Sequence, residues 1–524
     1  MTKKDIQQLL AADPAHRSKL FARGYYFTDA PVDDAAYPFY GLWARQTAGR
    51  FTLLTAEGQR AFACEGERYT LVLAGHAYDP VSMVSDEQAI LASLARHPFP
   101  SDAFWAEFNG LTGIFTLFIL DGERLHLVGD PTCMQTAFYG VKDGHVYISS
   151  HTNCIGDLLD LDWDPYVREL VHYRFYRLLG NCLPGDLTPF PELKRLVPNF
   201  YVTFGPDLAV SCTRFYWPQR LEVTEQEIVD RAAAILHANM ALIPEKWERP
   251  AISLTGGCDS KTTLACANGL YDRYRCFSYS SSDAEELDAR AARTISEKLG
   301  IPHKIYEISQ RDEDYPDIET VRTLLFWNTG GTRTSNPNDV RKRAAFADTP
   351  DFDVEVKSWS SEIGRAYYSK RFNGRRSFGD KPTPRACTTI YKYFFHNRKL
   401  VKQTDRAFAD YLDKYYQPHP TRPVEWQEQF FWEFRVAYWK GLNITGEHRY
   451  SFDITIPYNN RDLLALLLSA SFDARFRDTV YAQIREKMNP AIDALGITVQ
   501  NLKHDKKRER GDDLYYVLHS RFPF

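Results

Sequence analysis

The 524-residue chain lacks any run of 18 apolar residues, so no membrane-spanning helix is expected. Its opening residues, Met1-Thr2-Lys3-Lys4-Asp5, carry no apolar signal region. The nine cysteines are scattered, without a C-x-x-C pair or metal-ligand spacing, which removes a disulfide framework and a thiolate zinc site. Reduced thiols and a cytoplasmic location are the expectation. Neither sign of charge is in excess: 64 Lys and Arg stand against 68 Asp and Glu, a net charge of −4. Nucleic acid and membrane surfaces are therefore not expected as partners. Internal repeats and low-complexity tracts are also missing. So is a Walker A loop: Lys261-Thr262-Thr263 follows Ser260 where that motif needs glycine, and an acid sits inside the loop.

What is present is ordinary globular material, 44% hydrophobic and 25% charged, long enough for two or three domains. Aromatic content is high at 14%, which predicts large packed cores and an aromatic-lined pocket. The most informative stretch is Ala251-Ile252-Ser253-Leu254-Thr255-Gly256-Gly257-Cys258-Asp259-Ser260-Lys261. An apolar strand breaks into a Gly-Gly turn and opens a helix. The glycines allow close backbone approach to an anion, Thr255 and Ser260 add hydroxyls, and the helix start adds N–H groups and a favourable dipole. Asp259 fits such a pyrophosphate cradle if Mg²⁺ is held there too. The plainer reading is a strand–turn–helix junction with no ligand. Cys258 reads either as a reactive thiol or as a small buried filler.

Residues 40–150 carry short β-rich runs: Phe51–Leu54, Tyr69–Leu73, Gly113–Leu120, Leu125–Val128 and His145–Ser149, with an Asp121-Gly122 hairpin signal. Helices are expected at about 86–97 and 164–178. This is an antiparallel, layered α+β domain. The pattern changes near 220. Thr224-x-x-Glu227 is a capping box opening a helix. Strand 251–254, helix 260–269, strand 275–280, helix 284–299 ending at Gly300, and strand 303–308 follow. This alternation predicts a doubly wound parallel sheet, with its ligand at the carboxyl ends of the strands. Residues 310–350 and 369–390 read as loops over the site, and 424–470 and 473–496 as helical. The run Lys503-His504-Asp505-Lys506-Lys507-Arg508 reads as a solvated segment.

Taken in order, these features resemble the asparagine synthetase family over most of the chain. Thr255-Gly256-Gly257-Cys258-Asp259-Ser260 is similar to that family's S-G-G-x-D-S pyrophosphatase loop. Phe277-Ser278-Tyr279 with Glu286-Leu287-Asp288 resembles its second strand and the next helix start. Asn109-Gly110-Leu111-Thr112-Gly113 and Leu127-Val128-Gly129-Asp130-Pro131 resemble its glutaminase-domain signature. Phe190–Asn199 resembles the end of that domain, and Tyr216-Trp217 the linker. Ile456-Pro457-Tyr458-Asn459-Asn460 is similar to its P-F-L-D segment, with Asn in place of the acid.

The resemblance implies an N-terminal Ntn-like antiparallel sandwich over residues 1–215. It implies a synthetase domain over 216–524, a doubly wound sheet with an ATP pyrophosphatase loop and a helical extension. Glutamine-hydrolysing members start with Cys directly after Met; here that place holds Thr2, and the first cysteine is Cys64. Glutamine hydrolysis is therefore not expected, and the chain is similar to β-lactam synthetases and lasso-peptide cyclases. The implied activity is biosynthetic: ATP-dependent ligation of a small-molecule or peptide carboxylate to an amine through an acyl-adenylate, releasing AMP and pyrophosphate. Adenylation of a carbonyl oxygen in another small molecule and a non-catalytic scaffold are the alternatives, and a homodimer stays open. The implied ATP-binding residues are Leu254, Thr255, Gly256, Gly257, Asp259, Ser260, Ser278 and Arg365; Arg365 reads equally as a surface ion pair. Asp259 and Glu362 are the implied Mg²⁺ ligands, although the family alignment of Ser358–Arg365 also puts Ser361 at the acid's place. The family's catalytic lysine falls on Lys503, Lys506 or Lys507, with Lys487 a further candidate; any of these also reads as a solvated lysine.

Overall fold

In the computed structural model, residues 1–33, 40–178, 180–346, 351–497 and 506–522 are described. Up to residue 214 the chain builds two six-stranded antiparallel sheets. One carries Tyr25–Thr28 between Phe51–Thr55 and His145–Ser149; the other is centred on Thr70–Tyr78, Thr112–Asp121 and Arg124–Gly129. Alternating apolar residues such as Phe27, Phe51, Val72, Phe118 and Ile148 meet between them, where the Phe27 and Phe118 rings stack 4.1 Å apart. Helices Glu87–Leu94 and Asp102–Gly110 cover the second sheet through Ile90, Leu91, Phe104 and Phe108. The first sheet is covered by Lys3–Ala12, by Thr152–Leu158 and by Ile318–Asn328, a helix from much later in the chain.

The remainder is organised on a five-stranded parallel sheet of β1 (Pro250–Ser253), β2 (Arg275–Ser280), β3 (His303–Glu307), β4 (Val354–Val356) and β5 (Asp453–Thr455). The spatial order is β3-β2-β1-β4-β5. The chain leaves β1 towards one side of the sheet and returns to its other side with β4. The crevice between the β1 and β4 carboxyl ends is the topological switch point, the usual place for a ligand in such sheets. Helix α1 (Glu225–Lys246) opens with the Thr224/Glu227 capping box, α2 (Cys258–Cys266) follows β1, and α3 (Asp283–Leu299) ends at Gly300 with φ 68°. Helix α4 (Thr479–Met488) packs on both α1 and α2.

Several expectations are corrected. Residues 310–350 are not simply loops: they hold helices Ile318–Asn328 and Pro337–Ala345, the second opened by Asn336 as cap with proline in the first turn. The 164–178 helix is shorter, Pro165–His172. Residues 431–440 form a π-helix. The charged tail is not a solvated segment throughout, since Lys506–Arg521 forms helix α5. Its Asp512 accepts from Tyr393 at 2.5 Å, and its Asp513 pairs with Arg375 at 2.7 Å.

The sandwich and the parallel sheet are locked by residues that the sequence marked for another reason. Asn459 donates to Gly113 O at 2.6 Å and to Asp130 Oδ1 at 2.8 Å; Asn460 donates to Gly110 O at 2.6 Å; Arg461 donates to Gly129 O at 3.1 Å. The glutaminase-like signature and the P-Y-N-N segment therefore meet each other. A second lock is the buried bidentate pair between Arg214 and Glu433, at 2.6 and 3.0 Å.

Candidate functional site

Loop 255–257 emerges from β1 at the switch point and runs into α2. Gly257 caps α2 with φ −75°, a conformation open to any residue, and no side chain bonds the first-turn N–H groups. Glycine matters there for access: a Cβ would sit 3.1 Å from Thr255 Oγ1, on the face the helix start presents. The two hydroxyls are not free phosphate donors. Ser260 Oγ lies 2.9 Å from Thr255 Oγ1 and accepts from Thr255 N at 3.1 Å, so together they brace the turn. Leu254 is fully buried at the strand end. Ser278 is turned inward, its hydroxyl donating to Leu254 O at 2.6 Å and lying 2.9 Å from His303 Nε2. Both support the loop from below.

Asp259 stands in the first turn of α2. One oxygen accepts from Ser361 Oγ at 2.8 Å and the other from Arg365 at 2.5 Å. Arg365 also forks onto Asp478 at 2.8 and 2.7 Å, and Lys370 joins Asp478 at 2.6 Å. The Arg365 guanidinium is thus half-buried and held between two acids. Ser360, Ala366 and Asp478, none of them glycine, all hold left-handed backbone, with φ of 70°, 48° and 60°. Such strain costs about 1–3 kcal/mol per residue and collects at functional sites.

A cavity of about 750 Å³ opens in front of the loop. Five cations line it, Lys261, Arg365, Lys370, Arg477 and Arg485, against two acids, Asp478 and Glu509. A cationic hollow at an uncapped helix start is a receptor for a polyphosphate. Arg485 also donates to Thr262 Oγ1 at 3.0 Å and to Asp493 at 2.8 Å, which fixes its direction. Of these cations the sequence analysis singled out only Arg365. The rest are spread from 261 to 485 with no common spacing, so no sequence signal marks them.

Glu362, on the loop after β4, accepts from Lys440 at 3.0 Å through one oxygen; its other oxygen is buried with no hydrogen-bond partner among the described residues. Burial pushes the Glu362 carboxyl up, but Lys440 more than offsets this and holds it below its usual range. Asp259 is pushed up, by burial first, with Arg365 opposing and the Glu362 charge adding to the rise. Two neighbouring carboxylates, one with an orphaned oxygen and one raised partly by the other's charge, suit an added divalent cation. Among the described residues no cluster of three His, Cys, Asp or Glu could hold a metal by itself. Phosphate oxygens would have to complete the shell.

The candidate lysines divide. Lys487 pairs with Asp230 at 2.6 Å on the outer surface and is not brought to the loop. Lys503 lies outside the described residues. Lys506 and Lys507 begin α5, and Glu509, one turn on, lines the cavity. Lys440 is the lysine that sequence reasoning missed. It ends the π-helix, lies 4.1 Å over the Trp359 ring and pairs with Glu362.

No protein-family model and no curated protein matches the sequence. Among solved structures it is similar to glutamine PRPP amidotransferase from B. subtilis complexed with ADP and GMP, with a TM-score of 0.24 and 11% identity, covering 70% of this chain and 74% of that one. A structure of the allosteric regulatory enzyme of purine biosynthesis matches with a TM-score of 0.25 and 11% identity, over 57% of this chain and 62% of that one. Glutamine-dependent NAD+ synthetase from Acinetobacter baumannii in complex with ADP matches with a TM-score of 0.17 and 16% identity, over 31% and 32%. The chain thus spans less than two thirds of the second and about a third of the third. At these scores the likeness places no site and fixes no activity. No described helix is long and apolar enough to cross a membrane.

Proposed function

We propose that this chain is an ATP-dependent carboxylate–amine ligase of the asparagine synthetase type, without a glutaminase. The observation that carries the reading is the convergence of an uncapped helix start and five cations on one cavity at the switch point, one of which, Arg365, pairs with Asp259 in the first turn of that helix. In the proposed reaction a substrate carboxylate oxygen attacks the α-phosphorus of ATP. The bond to the bridging oxygen breaks and pyrophosphate leaves. The amine nitrogen then attacks the acyl carbon, AMP leaves with the former carboxylate oxygen, and the nitrogen loses a proton.

The N–H groups of α2, with Lys261, Arg365, Lys370, Arg477 and Arg485, receive the leaving pyrophosphate. Their contribution is charge stabilisation by groups already in place. Asp259 and Glu362 would hold Mg²⁺, which offsets negative charge on the phosphates. Lys440 keeps Glu362 ionised for that task. Lys506, the first residue of α5, or Lys503 is the proposed catalytic lysine. The sandwich over residues 1–215 serves as a wall of the substrate entrance.

The proposed absence of glutaminase rests on Thr2, which stands where glutamine-hydrolysing members carry cysteine and here caps helix Lys3–Ala12. The direct test is pyrophosphate release by the purified protein with ATP, Mg²⁺ and a panel of carboxylates. Release that needs a particular carboxylate supports the reading; release with none of them, alongside ATP binding that ignores Asp259, contradicts it.

A further inference from the structure

A second cavity, of about 350 Å³, lies away from the phosphate loop between two segments distant in sequence. Trp163, Phe326 and Trp327 form its flat apolar part, and Arg168, His172 and Arg177 its basic part. Among the described residues that line it none is acidic. Neither Arg168 nor Arg177 forms an ion pair among the described residues, in a chain where most arginines near the candidate site are paired.

The walls are fixed. Trp327 Nε1 donates to Asp157 at 2.8 Å. Trp163 packs so closely under Gly331 that a Cβ there would meet its ring at 2.8 Å, and Gly331 also holds φ 69°. Asn181 Nδ2 donates to Thr334 O at 3.1 Å, stapling one wall to the other. Lys392, fully buried, holds the backbone of the first wall by donating to the carbonyls of Tyr176, Leu178 and Gly180. Gly180 in turn lies against Trp439: a Cβ there would be 3.1 Å from the indole nitrogen. Trp439 precedes Lys440, the partner of Glu362. A relay of contacts through Lys392, Gly180, Trp439 and Lys440 thus runs from the cavity wall to Glu362.

Rigid aromatic walls with unpaired cations on one side recognise a flat apolar body bearing a negative charge. We propose that this cavity binds an organic anion of that kind, the size of a one- or two-ring aryl carboxylate. On the ligase reading, and resting on it for this step alone, the ligand is the remote end of the substrate whose reacting end approaches Glu362.

The test is calorimetric binding of 2-naphthoate and its neutral amide, 2-naphthamide, to the full chain. The wild type should bind the acid saturably and the amide about tenfold or more weaker, since a charge-assisted bond is lost. The exposed double variant R168Q/R177Q should lose about tenfold or more of the acid's affinity and none of the amide's. D259N should bind the acid as the wild type does. Absence of saturable binding to millimolar concentration, equal binding of acid and amide, or an unaffected double variant would overturn the site. Pyrophosphate release is read separately: a chain that binds the acid but releases no pyrophosphate keeps this site and loses the ligase reading.

Discussion

Asp259 is the residue on which most of the chemistry converges, because it pairs with Arg365 of the basic cavity and feels the charge of Glu362. Asp259→Asn is nearly isosteric, and its amide oxygen can still accept from Arg365 or Ser361. The fold should persist while activity falls by two to three orders of magnitude, about 3–4 kcal/mol of transition-state stabilisation. Turnover and its Mg²⁺ dependence measure this; unchanged turnover refutes the assignment. The loop was legible in the sequence because its residues are contiguous and a strand–Gly-Gly–helix junction has a local signature. What the sequence does not say is that Ser260 turns back onto Thr255. Lys370, Arg477 and Arg485 were illegible for a different reason: only the tertiary fold brings these distant segments to the cavity in front of α2. Lys440 reaches Glu362 from a helix whose hydrogen-bond register no periodicity reports.

Among the elements, the π-helix Phe431–Lys440 carries both the lock to the sandwich and the lysine of the site. Its Glu433 is 3% exposed and takes Arg214, Asn199 and Gln429 as partners. Arg214→Met would leave that charge buried without its cation and should cost about 3–5 kcal/mol. Arg214→Met with Glu433→Leu should recover most of the loss, because an apolar pair replaces an ionic one. Denaturant midpoints of the two variants decide this, and equal loss in both would contradict it. Helix Lys3–Ala12, capped by Thr2 rather than led by a cysteine, makes its own prediction: purified protein should not hydrolyse glutamine, and glutaminase activity sensitive to a thiol-directed inhibitor would count against the reading. Strands β1, β2 and β3 were legible because each alternates with a capped helix. Strands β4 and β5 were not, since three residues are too few to show a period of two. Helix Pro337–Ala345 was hidden because it lies in a polar stretch that reads as loop, although Pro337 suits its first turn.

For the whole molecule, the buried histidines set the response to acid. His76 and His151 are pushed down to about 3 and His519 to about 4, burial being the largest cause in each, and all three are 1% exposed. Unfolded, each titrates near its ordinary value of about 6.5. As pH falls below that value the unfolded chain takes up protons that the folded chain refuses, so stability is lost. Glu428, pushed up to about 7 by burial with Arg475 opposing, works the other way between its unfolded value and 7. His303, pushed down to about 4, and His126 and His448, also lowered by burial, add to the same side, so the histidines outweigh the one glutamate, each proton worth about 1.4 kcal/mol per pH unit. The denaturant midpoint should therefore drop between pH 6.5 and 5.5, and a flat profile would contradict the assignment. The overall order of antiparallel strands followed by a parallel sheet was legible from periodicity. The covering of the first sheet by helix Ile318–Asn328 was not, because nothing local ties that helix to strands some 200 residues earlier. The central claim is adenylation, and its most direct measurement is the nucleotide product formed with the carboxylate that turns over. The cavity around Asp259 predicts AMP and pyrophosphate in equal amounts, with labelled pyrophosphate exchanging into ATP; ADP and orthophosphate as the stoichiometric products would contradict it.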